Sequence, residues 1–163
     1  MTQRNQSLSP AATLRLRAIG GALALGGALL SFAAVGHADA PAGRYTIATG
    51  TVTDNKTGLI WQQTAPTTQM LGDDAYTYCN NLTLAGNANW RTPGMHELST
   101  LVDETRNSPA IDTTAFPGVT GGNFWTQTPT PNSPTASFWI DFTYGVSGGG
   151  NTAHSTALVR CVR

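Results

Sequence analysis

Trp90-Arg91-Thr92-Pro93-Gly94-Met95-His96-Glu97-Leu98 organises the chain around it. Pro93 and Gly94 stop whatever precedes them, and the spacing predicts a helix from Met95 to about Glu104 with Leu98, Leu101 and Val102 as its buried stripe. Gly94 has no side chain with which to cap that helix, but Glu97, three residues on, reaches back to the Gly94 amide. Upstream, Leu71, Ala75, Tyr78, Cys79 and Leu82 recur at helical period, so a first helix is expected there. Asp73 and Asp74 favour the positive end of its dipole. Ala85-Gly86 ends it, and Cys79 lies on its inward stripe.

Either side of these helices the pattern is that of short strands. Tyr45-Thr46-Ile47, Thr51-Val52-Thr53 and Leu59-Ile60-Trp61-Gln62 are β-type segments, with the turn cluster Asp54 to Gly58 between the last two. Asn123 to Thr128, Ser137 to Phe142 and Ala157 to Val162 read as later strands. The segments 126–136 and 143–156 are rich in Gly, Pro, Asn, Ser and Thr and are read largely as loops. Helices early and strands late imply an α+β domain.

The N-terminus is read separately. Arg4, Arg15 and Arg17 precede an apolar run from about Ala18 to Val35, and Gly36-His37-Ala38 supplies the small residues of a cleavage site. Residues 1–38 are therefore expected to be a cleaved signal peptide, leaving a single domain over 39–163. That domain carries six basic and nine acidic side chains, a net charge of −3. Such a balance argues against binding nucleic acid, which needs a basic face. The expected location is periplasmic or secreted, with no membrane insertion after cleavage. The two cysteines, Cys79 and Cys161, are then expected to form a disulfide. A redox pair or a metal site is the alternative, but no C-x-x-C occurs and the His residues lack ligand spacing.

The motifs resemble a known family, the Lcl C-terminal domain, which is shared with the Legionella collagen-like adhesin and whose function is largely unknown. Thr51 to Gln62 looks like its opening strand-turn-strand signature, Tyr78 to Leu82 its first helix, and Trp90 to Leu98 its W-R-L-P-T-x-x-E-L block. Pro109 to Asp112, Ala115 to Pro117, Phe124 to Thr128 and Val159 to Arg163 follow in the family's order. Thr92 stands where the family often has Leu, and Gly94 where it often has Thr. The resemblance implies a C-type-lectin-like fold: two helices, a small twisted, mainly antiparallel sheet, and long loops that form the ligand surface. It also implies that Cys79 is bridged to Cys161.

Within that frame Trp61, Trp90, Arg91, Pro93 and Glu97 are read as structural residues of the motif. Trp125, Asn132, Trp139, Asp141 and Tyr144 are the candidate ligand-binding residues. No catalytic residue is assigned: His96 lies nearly opposite the apolar stripe of its helix, and His154 has no acidic neighbour in sequence. The loop triplets of calcium-dependent lectins are missing, so no metal or cofactor is assigned. The expectation is an exported, non-catalytic recognition domain for a glycan or an envelope protein, with a structural or assembly role in the envelope as the alternative.

Overall fold

A computed structural model describes residues 40–163; the leader expected at 1–38 lies outside them. Strands β1 (Tyr45–Ala48), β2 (Thr51–Asp54) and β3 (Ile60–Gln62) form an antiparallel three-stranded sheet. Between β2 and β3, the Asp54 carboxylate accepts the Lys56 amide at 2.9 Å and the Asp54 carbonyl accepts the Gly58 amide at 2.8 Å, closing the turn. A two-residue strand, β4 (Met70–Leu71), leads into helix α1 (Gly72–Asn81), and α2 spans Met95–Ser99.

A second three-stranded sheet follows: β5 (Asn123–Thr130), β6 (Ser133–Asp141) and β7 (Val146–Asn151), in that order and antiparallel. β8 (Thr156–Ala157) pairs with β4. The structure is thus α+β with two helices and three small antiparallel sheets.

Three expectations need correcting. The segments read largely as loops, 126–136 and 143–156, are mostly the paired strands of β5, β6 and β7. Their Gly, Pro and Asn content lowers β propensity on average, yet cross-strand packing overrides it. α2 ends at Ser99 rather than near Glu104, because the chain turns there through Leu101 N–H to Leu98 C=O and Val102 N–H to Ser99 C=O, both 3.1 Å. The expected final strand is regular only at Thr156–Ala157. Beyond it the chain stays extended through isolated bridges, Phe124 with Leu158 and Val162 with both Trp61 and Arg91.

That closing segment builds the interior. The Ile60 amide donates to Arg163 C=O, the Gln62 amide to Cys161 C=O and the Arg91 amide to Val162 C=O, all within 2.9–3.0 Å. Successive side chains of an extended chain point to opposite faces. Accordingly Ala157, Val159 and Cys161 enter one cluster, with Ala75, Cys79, Trp90 and Trp125. Leu158 and Val162 enter the other, with Val52, Trp61, Leu98, Leu101, Phe116, Phe124 and Phe142. β5 does the same with Phe124 and Trp125. One extended layer is therefore covered on both sides, and the Cys79–Cys161 disulfide ties α1 to it.

Arg160 lies in this layer with no exposed surface. Its Nη1 donates to the carbonyls of Gln62 and Gln63, and its guanidinium carbon sits 4.6 Å from the centre of the Phe116 ring. Desolvation pushes its pKa down to about 9.

Candidate functional site

The motif residues occupy structural positions. Trp61 is fully buried and Trp90 nearly so, with the Trp90 indole N–H donating to Asn87 C=O at 3.1 Å. Arg91 and Glu97 form a two-pronged ion pair at 2.6 and 2.7 Å. The Arg91 hydrogen bond holds the Glu97 carboxyl below its ordinary range against the opposing effect of burial, and the Gly94 amide adds to it. That amide donates to Glu97 Oε2 at 2.7 Å. The capping that Gly94 lacks comes from another element: Thr128 Oγ1 of β5 accepts the Met95 amide at 2.9 Å. Pro93 C=O accepts the Gln127 amide at 2.8 Å, so the start of α2 is held to β5 on both sides of its N-cap, Gly94.

The candidate ligand-binding residues are scattered. Trp125 is fully buried, with its indole N–H donating to Met70 C=O at 2.9 Å, and so belongs to the core rather than to a binding surface. Trp139 is half-buried and lies over Gly148 of β7, where a Cβ would overlap its ring. Asp141 holds the β6–β7 turn: its Oδ1 accepts the Thr143 amide at 2.6 Å, and its carbonyl accepts the Gly145 amide at 2.8 Å. Asn132 is exposed at the tip of the β5–β6 hairpin. Tyr144, in the β6–β7 turn, is 69% exposed. The length of β6, at about 3.3 Å per residue, puts Asn132 and Tyr144 roughly 30 Å apart, so they do not serve one small site.

What gathers around Tyr144 was not singled out in the sequence. The Ser108 amide donates to Thr143 C=O at 2.7 Å and the Ala110 amide to Phe142 C=O at 2.6 Å, which lays the 105–113 loop beside the turn. In that loop an open depression of about 250 Å³ is lined by Thr105, Arg106, Asn107, Pro109 and Thr113. Asn107-Ser108-Pro109 is a turn signature, and it was the one signal available from sequence that these side chains face outward. A larger depression of about 370 Å³ lies between the start of β1 and the segment after α2, lined by Arg44, Tyr45, Leu101, Val102, Asp103 and Asp112 among others. Arg44 pairs with Asp54 at 3.1 Å across its base. Burial pushes the Tyr45 phenol up to about 12; Arg44 opposes the shift, and Asp54, Asp112 and Asp103 add to it.

Among the described residues no cluster of His, Cys, Asp and Glu is placed to hold a metal ion, and no helix is long and apolar enough to cross a membrane. His96 and His154 are both exposed, on α2 and in the turn after β7. Fold and surface together define a small disulfide-closed α+β domain whose recurrent motif residues serve packing. The chain belongs to the Lcl C-terminal domain family, whose model matches residues 50–163. No curated protein matches it.

Proposed function

We propose that this protein is an exported, non-catalytic recognition domain of C-type-lectin-like fold, binding a glycan or a protein ligand on the face that carries Tyr144. The observation that carries this reading is the exposed Tyr144 in the β6–β7 turn, against which the 105–113 loop that holds the polar depression is hydrogen-bonded. A solvent-facing aromatic ring presents an apolar plate for stacking, and the exposed Asn107 amide of the adjoining loop offers polar groups for orientation. Membership of an adhesin-associated family supports a binding role, and the disulfide supports an oxidising compartment.

The test is a binding screen of the oxidised protein against glycans, glycosaminoglycans and envelope extracts, each with calcium and with chelator. A saturable ligand whose affinity drops at least tenfold in Tyr144→Ala, and not in Asn132→Ala, supports the reading. Capture of one envelope protein from the extract, with no glycan bound and no dependence on Tyr144, replaces it with the assembly role.

A further inference from the structure

The outer edge of β7 is left open in a way that outer strands usually are not. Among the described residues β7 pairs with β6 alone. Edge strands are normally guarded by Lys, Pro, a bulge or a covering loop, because unpaired backbone groups are a template for another strand. β7 reads Val146-Ser147-Gly148-Gly149-Gly150-Asn151, with no charge, no proline and an unbroken register.

The hydrogen-bond parity of this edge is fixed. The Thr152 amide donates to Thr135 C=O at 3.0 Å, and the register continues as Gly150 with Ser137, Gly148 with Trp139 and Val146 with Asp141. In an antiparallel ladder alternate residues bond inward, so Ser147, Gly149 and Asn151 turn their backbone groups away from β6; the Asn151 carbonyl is taken by the His154 and Ser155 amides at 3.2 and 2.8 Å, which leaves Ser147 and Gly149 open. β1, the other outer strand with exposed apolar surface, is shorter, and its flank is tied by Asn55, whose amide donates to Gly43 C=O and Thr46 Oγ1, both 2.9 Å.

We infer that this edge is a dimerisation strand: β7 of one copy pairs antiparallel with β7 of a second copy. Only a register that sets outward residues opposite outward residues lets both strands bond. A two-fold axis through Gly148 does this with the open residues, matching Ser147 with Gly149 of the other copy. It sets Gly148 against itself in the close, non-bonded pair, where the Cα atoms approach to about 4.5 Å and no side chain stands in the way. No like charges meet, and the interface is the same patch on both copies, as a closed dimer requires. Val146, 51% exposed at the end of the strand, gains cover on the partner. The two β5–β6–β7 sheets become one of six strands. Tyr144 lies in the turn outside the paired segment, so the dimer carries two recognition faces.

Sedimentation velocity on the oxidised protein, from micromolar to millimolar concentration, tests this. The natural sequence is expected to pass from monomer to dimer. Ser147→Pro removes an outward amide that no group of the described residues uses, and Ser147→Lys places a charge on the edge; each is expected to weaken association at least tenfold while the circular dichroism spectrum is unchanged. Ile47→Lys on β1 is expected to leave association intact. A natural protein that stays monomeric throughout, a dimer that survives Ser147→Lys, or one broken by Ile47→Lys overturns the inference. Should Ser147→Pro disturb the fold, Ser147→Lys alone decides.

Discussion

At the scale of single residues, the most informative position is Gly94. The helix start needs a hydroxyl or carboxylate for its free amides. The family's Thr is absent here, and Thr128 supplies the hydroxyl from a different strand. Thr128→Val is therefore expected to cost about 1 kcal/mol in chemical denaturation, the usual cost of a lost cap. Gly94 has extended backbone angles, and a Cβ there meets only ordinary contacts. Gly94→Thr in the Thr128→Val background is expected to recover most of the loss, which would place the effect in capping rather than in β5 packing. Glu97 makes a pH prediction. Its pKa is lowered in the folded state from an ordinary value of 4.5, so the unfolded chain binds the proton more tightly. The stability it contributes is present above that value and is lost as pH falls through the folded one. Denaturation midpoints measured from pH 7 downward should fall less steeply in Glu97→Gln, with Asp54 retaining a share of the acid sensitivity: burial raises its pKa, but Arg44 and the Lys56 amide outweigh that and lower it.

At the scale of elements, the β5–β6–β7 sheet explains both what the sequence disclosed and what it hid. α1 was legible because its apolar residues recur at one period, and one face of it packs on the core. Helix α2 was legible at its start, where Pro93-Gly94 and Glu97 carry local chemistry, but not at its end, which is set by contacts the sequence does not spell out. Trp125 was misread because it follows Phe124: two adjacent large side chains on a strand place one outward only if one face is wet, and here both faces are covered. β7 was hidden because glycine argues against a strand, whereas its glycines answer to neighbours: Trp139 lies on Gly148 and the Thr130 methyl group reaches Gly149. Gly148→Val is expected to destabilise by about 1–3 kcal/mol, the range for overpacking, with a red shift of Trp emission as the Trp139 ring is displaced.

At the scale of the whole molecule, the Cys79–Cys161 link joins the first helix to the closing segment across 82 residues. In the chain-entropy treatment a loop of that length contributes about 4 kcal/mol through the unfolded state. The Cys79→Ala/Cys161→Ala double variant should show that loss in urea unfolding and a larger m-value, as its unfolded chain expands. The pairing was legible because the sequence offers two cysteines and Cys79 falls on the inward stripe of a helix that could be read. The position of the proposed ligand surface was not, since it depends on which loop is laid against the β6–β7 turn.

Residues 158–163 lie between β3, Arg91 and β5, all of which precede them in the chain. The centre of the molecule is thus the part synthesised after its surroundings, and the two hydrophobic clusters are complete only when Cys161 and Val162, respectively, are available. At typical elongation rates the chain spends roughly 10–30 s without its central layer. A polypeptide so ordered has little to collapse onto while it is being made. Folding becomes an event of arrival, set by the moment at which residues 158–163 join their layer and the two cysteines meet.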